Sequence, residues 1–466
     1  MAIDFFRAPF KRLSWKDRRV LILGLGQYPE GSGMSAAMTF AKLGASVTVT
    51  DLKRAKDLGT NVKRLKKFKN VRFVLGRHDL KDIDRAELIV ANPRVRPDAK
   101  EMKRARKNGI PVTSDIALFL DRCPARVVAV TGTRGKSTTS SLIAAMLKAS
   151  KKKVWLGGNI LVSPLNFLSK IKPADIVVLE LSSWQCESLS KSSKAPGISV
   201  ITNLMRDHLN TYQGMEDYAE AKAQVFRHQK PNDTVILNAD NLYGKRWMSE
   251  APSDVLTFGK GASNHASFRG GYLYLGATKV ISAGQLALPG EHNARNALSA
   301  MLAAKRAGAS MVGIKKALKT FTSLPNRLET VRTVKGVSFI NDTCATTPDG
   351  AIAALHALKR RHDHLFFIMG GADKELDYTE LGRVFAKNKK RVSILLLPGS
   401  ASAKLYKTAV KQGIGIERVP DMKRAVARAI EMSMSGDAIV LSPAAASFGQ
   451  FKNEFERGEM FVKAIR

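Results

Sequence analysis

Apolar residues come in short bursts along this chain, and stretches of helical period separate them. RRVLILGLG (18–26) is a strand-length burst closed by glycines. EGSGMSAAMTFAKLG (30–44) spaces its apolar and small residues as a helix does. ASVTVTDLK (45–53) returns to strand patterning and ends on an acid, Asp51. That order predicts a βαβ unit. Shorter units follow in VRFVLG, AELIVANP and, after a basic helix, GIPVTS; the first domain is predicted to end near Ser114. A second series starts at Arg126, with strand-like runs KVWLGG, DIVVLEL, GISVITNL and TVILNAD, then the helical HNARNALSAMLAAKRAGA and a break near SLPNR. A third contains VSFINDT, DGAIAALHALKR, HLFFIMGG, SILLLPG and AIVLSPA. Strands alternating with helices in all three parts predict an α/β protein with mostly parallel sheets. The predicted domains are 1–114, 115–323 and 324–466.

Composition narrows this reading only a little. The chain has 466 residues, 44% of them apolar, enough for several ordinary cores. No apolar run reaches the roughly 18 residues of a membrane span. The basic, Phe-containing start lacks the apolar centre of a signal peptide. The three scattered cysteines, Cys123, Cys186 and Cys344, suit a reducing cytoplasm. The formal net charge is +36, with basic runs in KRLKKFK, KEMKRARK, KASKKK and KNKKR. Such charge invites a nucleic-acid reading, yet no zinc-finger, RNA-binding or basic-zipper pattern accompanies it. A solvated surface, or attraction to anionic lipid or small anionic substrates, accounts for it equally.

Chemistry concentrates first in VVAVTGTRGKSTTSSLIAAML (127–147). The usual phosphate loop places a glycine five positions before its Gly-Lys pair. Here that position is Val130, and the glycine comes at Gly132. Gly132 and Gly135 flank Thr133-Arg134, and Lys136-Ser137-Thr138 opens a helix. Glycines let backbone N–H groups turn towards phosphate oxygens, and a helix N-terminus adds partial positive charge. Lys136 can reach β- and γ-phosphates, and Ser137 can ligate Mg²⁺. The turn GLGQYPEGSG (24–33), with Gly26, lacks the third glycine of a dinucleotide fingerprint; it is either a phosphate-binding turn or a structural one. Glu180, at a strand end in LELSSWQCE, is either a Mg²⁺ ligand or an ordinary strand-end acid. His208 in NLMRDHLNTY is a ligand or a structural histidine. Lys222 in DYAEAKAQVF reads by default as a surface helix lysine. Asn293 and Asn296 stand at a helix start, where capping explains them.

Taken in order, TGTRGKSTT, GGNI, LELSSWQCE, NLMRDHLNTY, YAEAK, LNADN, LPGEHNARNALSA, LPNRLE, INDTCATTPDGAIAAL, MGGADK and LSPAAASFGQFKNEFERG resemble the segments of a Mur ligase over nearly the whole chain. The resemblance implies three domains: a Rossmann-like N-terminal one for the UDP-sugar, a central one for ATP and Mg²⁺, and a Rossmann-like C-terminal one for the incoming amino acid. It implies an ATP-dependent amide ligase of peptidoglycan precursor synthesis, adding glutamate, D-glutamate expected, to UDP-N-acetylmuramoyl-L-alanine through an acyl phosphate. The Gly24–Gly33 turn would meet the diphosphate, and Asp51 the uridine. Ser137 and Glu180 would hold one Mg²⁺ and His208 a second, while Lys222 matches the family lysine that becomes carbamylated. Asn159, Ser182 and Gln185 lie where the family contacts the sugar-nucleotide or the metal region. Asn293, Asn296, Arg327 and Asp342 match nucleotide contacts. Thr346, Lys374, Ser447 and Phe455 match the amino-acid pocket. The resemblance further implies a cytoplasmic monomer that binds no nucleic acid, and the basic charge leaves peripheral membrane association open.

Departures from the pattern stand in Cys344, where a lysine is commoner, in Phe455, shifted by one position, in Arg94 for a glycine, and in the longer Gln27–Gly33 turn. They leave L-glutamate or another acceptor open. The competing readings are a folylpolyglutamate synthase-like ligase, a basic nucleic-acid-binding P-loop NTPase and an inactive scaffold.

Overall fold

In the computed structural model, residues 14–465 are described except 161, 208–210, 289 and 322–323. The first sheet contains β1 (Arg19–Leu23), β2 (Ser46–Asp51), β3 (Val71–Leu75), β4 (Leu88–Ala91) and β5 (Val112–Thr113), all parallel, in the order β3-β2-β1-β4-β5. The order reverses between β1 and β4. A doubly wound sheet opens its ligand crevice at that point, beyond the carboxyl ends of the strands. Gly24 leaves β1 there.

The second sheet holds β6 (Arg126–Thr131), β7 (Val154–Gly158), β8 (Ile176–Glu180), β9 (Ile198–Ile201), β10 (Thr234–Asn238), β11 (Asp254–Gly259), β12 (Ala266–Arg269), β13 (Tyr272–Leu275) and β14 (Thr278–Ser282). Its order is β14-β13-β12-β11-β10-β9-β6-β8-β7. The third holds β15 (Glu329–Val334), β16 (Val337–Asn341), β17 (Leu365–Met369), β18 (Val392–Leu396), β19 (Gly415–Arg418) and β20 (Ala438–Leu441), ordered β15-β16-β20-β17-β18-β19.

Mostly parallel α/β sheets are therefore observed. Their buried strands, such as LIVA of β4 and AIVL of β20, are apolar on both faces because helices cover both sides. The strand-like runs read from the sequence omit β11 to β14. The β12–β14 meander is antiparallel, since no helix lies between its short strands to carry a crossover. Gly270 and Gly271, both at positive φ, make its first turn, a Gly-Gly hairpin signal that was present in the sequence. β15 likewise adds an antiparallel edge to the third sheet.

The chain forms two compact units. One runs to Gln285 and includes Arg295–Lys319; the other comprises Leu286–Ala294 and the chain from Thr320. The third sheet has its own apolar core on each face, one around Phe367, Leu355 and Phe385 and one around Phe339, Val426 and Phe461.

Candidate functional site

Parallel pairing puts the carboxyl ends of β6, β7, β8 and β9 on one edge. Val130 pairs with Glu180, Gly158 with Glu180, and Thr131 with Ile201. The loop Gly132–Gly135 leaves β6 at this edge, and the helix Lys136–Ala149 begins directly after it, capped by Gly135 at φ +81°. The segment after β9 fixes the loop. Asn203 accepts from the Arg134 N–H at 2.9 Å and donates to the Arg134 carbonyl at 3.1 Å, and Thr202 Oγ1 donates to the same carbonyl at 2.6 Å. Thr133 Oγ1 accepts from the Met205 N–H and lies 3.3 Å from the Tyr218 hydroxyl. A Cβ on Gly132 would stand 2.0 Å from Thr202 Oγ1, and one on Gly135 would stand 2.2 Å from Asn296 Oδ1. Asn296 thus packs on the loop, which goes beyond a capping role. Ser137 is buried, while Lys136 and Thr138 are half-buried on the first turn of the helix.

Lys222 overturns the surface reading. It is 1% exposed. Its helix, Met215–Arg227, turns Tyr218, Lys222 and Phe226 to one buried face, as four-residue spacing requires. The ammonium donates to the Gly132 carbonyl at 2.9 Å and lies 4.7 Å from the Tyr218 ring centroid. Lys136 donates to that same carbonyl at 3.0 Å and to the Thr133 carbonyl at 3.1 Å. Burial, and then the Lys136 charge, push the Lys222 amine down to about 7. Burial likewise pushes the Tyr218 phenol up and the Cys186 thiol, behind the same strands, up to about 11.

Glu180 is 2% exposed. Its Oε1 accepts from Asn159 Nδ2 at 2.8 Å, whereas its Oε2 is buried with no hydrogen-bond partner. A buried carboxylate oxygen with no donor suits a cation. No cluster of three or more His, Cys, Asp or Glu side chains suited to a metal occurs among the described residues. Mg²⁺ takes one or two protein oxygens and completes its shell with water and phosphate, so it asks for no such cluster. His208 lies outside the described residues. Ser182 and Gln185 form a capping box at the start of the helix Ser183–Glu187, so much of their polarity is spent on each other.

In the first sheet, Asp51 is buried and accepts the Gly26 N–H at 2.9 Å and the Lys53 N–H at 2.8 Å. Asn61 donates to the Gly26 carbonyl at 2.7 Å. A Cβ on Gly33 would meet the Gly24 carbonyl oxygen at 2.2 Å, so the turn closes tightly on the start of the helix Ser32–Lys42.

In the third sheet, Asp342 follows β16, and its carboxylate accepts from Ser442 Oγ at 2.9 Å and from the Leu328 N–H at 3.1 Å. Burial pushes its carboxyl up to about 7, against the pull of those donors and of Arg327. Lys374 donates to Thr346 Oγ1 at 3.2 Å. An isolated bridge between Ala372 and Ala446 brings the Lys374 and Ser447 loops together. Phe455 is half-buried in the first turn of the helix Glu454–Ala464. Asn293 is buried near the start of the helix Glu291–Arg306, in the second compact unit.

Many of the expected residues thus lie near the strand ends of the three sheets, while Asn293 and Phe455 stand in the first turns of helices and His208 lies outside the described residues. Sequence reading missed Asn203 and Thr202, which fix the Gly132–Gly135 loop, and Tyr218. Tyr218 was detectable, standing four positions before Lys222 on one helical stripe. It also missed Arg457, 0% exposed, which donates to the Thr343 hydroxyl, the Thr343 carbonyl and the Ala445 carbonyl and so ties two loops of the third cluster.

Comparison with known proteins covers most of the chain. Residues 18–114 match the Mur ligase MurD-like N-terminal domain, 130–304 the Mur ligase middle domain, and 326–445 the Mur ligase glutamate ligase domain. The UDP-N-acetylmuramoylalanine–D-glutamate ligase of Roseiflexus sp. (strain RS-1) is 37% identical, over 96% of this chain and 98% of the relative. Among solved structures, the UDP-N-acetylmuramate–alanine ligase MurC of Thermotoga maritima superposes with a TM-score of 0.63 at 18% identity, covering 96% of this chain and 99% of that one. The MurF ligase of the same organism in complex with ADP gives 0.57 at 16% identity, covering 99% and 97%.

Proposed function

The chain belongs to the Mur ligase family of ATP-dependent ligases, and from that premise we propose that it joins D-glutamate to UDP-N-acetylmuramoyl-L-alanine in peptidoglycan precursor synthesis. The observation that carries the reading is the meeting of Lys136 and Lys222 on one carbonyl, that of Gly132. The Lys136 cation held at a helix N-terminus favours an arriving polyanion, and the second amine on that carbonyl stands beside it. The Roseiflexus relative supports the substrate pair, and the ADP-bound Thermotoga ligase supports the use of ATP.

A carboxylate resists attack by an amine because its charge repels the nucleophile and it has no good leaving group. Moving the γ-phosphoryl group of ATP onto the alanyl carboxylate gives an acyl phosphate. The glutamate amine then adds to the carbonyl carbon, and phosphate leaves. In this scheme the loop N–H groups from Gly132 to Gly135 cradle the phosphates. Lys136 turns from its own loop carbonyls to the transferring group, where its charge counts most. Thr133 and Thr138 line the loop, and Asn293, Asn296, Arg327 and Asp342 serve the nucleotide. Ser137 and Glu180 are the residues that would hold Mg²⁺, which when bound neutralises charge on the phosphate oxygens. His208 is assigned to a second Mg²⁺ on its motif alone. The Lys222 amine, shedding its proton near pH 7, is suited to add CO₂ and become an anionic carbamate that supports the metal region. Gly26, Asp51, Asn159, Ser182 and Gln185 hold the sugar-nucleotide; Thr346, Lys374, Ser447 and Phe455 hold glutamate, with Lys374 on a substrate carboxylate. The domains doing this are 1–114, 115–323 and 324–466.

The test is product identity. Enzyme, ATP, Mg²⁺ and UDP-N-acetylmuramoyl-L-alanine are mixed with D- or L-glutamate, and phosphate release and product mass are followed. Phosphate and a glutamyl product are expected with D-glutamate only. ATP turnover indifferent to both co-substrates defeats the proposal, and an L-glutamyl product reassigns the acceptor.

A further inference from the structure

The edge of the first sheet opposite the Gly24–Gly33 turn carries a continuous row of cations. Because β1 to β5 run parallel, the segments entering them line up in strand order at one edge. Hydrogen bonds join neighbouring segments along most of this row. Asn70, before β3, donates to the Ala41 and Ala45 carbonyls before β2, at 2.9 and 2.7 Å. The Asp17 N–H, before β1, donates to the Gly44 carbonyl at 2.9 Å. Glu87, before β4, accepts from Arg18 Nη1 at 2.7 Å and from the Arg19 N–H at 2.9 Å. Strands sit about 4.8 Å apart, so five of them make an edge of roughly 20 Å.

Along it, in spatial order, stand Lys66, Lys67 and Lys69, then Lys42, then Lys16, then Arg85, then Arg106 and Lys107, all exposed. Two of the acids on this edge are engaged with arginines: Glu87 with Arg18, and Asp84 with Arg104 at 2.7 and 2.9 Å. The lysines therefore dominate the outward field. Leu43 is exposed among them. Trp15, before β1, packs its ring on Phe40 at 4.8 Å.

We infer that this edge docks on an anionic phospholipid bilayer. A row of lysines around an exposed aliphatic side chain has the chemistry of an interfacial surface, with cations for headgroup phosphates and an apolar group for the acyl boundary. Single-stranded nucleic acid asks for aromatic faces to stack its bases on. At this edge Trp15 is buried and Phe68 only half-exposed, so lipid fits better. Docking here leaves the Gly24–Gly33 turn, at the other end of the same strands, facing the aqueous side.

Co-sedimentation of the full chain with vesicles tests this. Binding to phosphatidylcholine–phosphatidylglycerol vesicles is expected, weakening with salt, with little binding to phosphatidylcholine alone. The variant K66E/K67E/K69E should lose about tenfold or more of that binding while keeping its circular dichroism and ligase turnover. K387E/K389E/K390E, on the equally basic and exposed run of the other compact unit, should bind as the parent does. Equal binding by the first variant, equal binding to neutral vesicles, or displacement of the protein from anionic vesicles by single-stranded RNA would each overturn the inference.

Discussion

The Lys222 amine has a low proton affinity because it is buried and shares the Gly132 carbonyl with the Lys136 cation. The free amine, the form that adds CO₂, therefore grows as pH rises through about 7. Intact-mass spectra should show a CO₂ adduct that increases across this range and disappears in Lys222→Met, with turnover following the adduct. The linkage sign is also fixed. Between about 7 and the ordinary value of 10.5, the unfolded chain holds a proton that the folded chain lacks, so stability rises with pH there. Urea midpoints in CO₂-free buffer should show that rise in the parent and a flatter profile in Lys222→Met. Lys136→Ala should lower kcat by about 100- to 1,000-fold, as loss of a transition-state cation does, with little change in urea midpoint. At this scale the lysine of the loop was legible, since a strand, a glycine turn and Lys-Ser are neighbours in sequence. The burial of Lys222 was legible only as a lysine on the stripe of Tyr218 and Phe226. Its partner, Gly132, is 90 residues away.

The Gly132–Gly135 loop is an element whose shape is set by what packs on it. Gly135 needs its positive φ, and it needs the space that Asn296 occupies. Gly135→Ala should therefore cost more than the roughly 1 kcal/mol of the backbone penalty alone and should abolish nucleotide binding in a calorimeter. Gly214→Ala is the control. Gly214 sits at φ +145° with nothing within 4 Å of an added Cβ, so that variant should show strain only and keep nucleotide affinity. Asn203→Ala removes both hydrogen bonds to the Arg134 peptide. About 1–3 kcal/mol of destabilisation is expected from thermal unfolding, together with a raised KM for ATP.

For the whole molecule, the third sheet has apolar cores on both faces that draw on its own strands and helices. A fragment beginning at Thr320 should accordingly fold alone and melt cooperatively by circular dichroism, with no ATP turnover because Lys136, Glu180 and Lys222 lie elsewhere. A broad, non-cooperative melt would show that the cores need the rest of the chain. The sequence by itself determined the alternation of strand and helix, the glycine turns and the family, because apolar period and turn chemistry are written in adjacent residues and the motifs keep their order along the whole chain. It left the β12–β14 meander unread, where short strands are broken by glycines and mixed with charge. Only the tertiary structure decided that strands distant in sequence end on a common edge. That arrangement sets Glu180 opposite Val130 and two lysines on one carbonyl, and at the other end of the first sheet it lines up lysines and arginines from five separate segments. Parallel pairing is the physical reason, since it sorts residues by which end of a strand they occupy and not by their place in the chain.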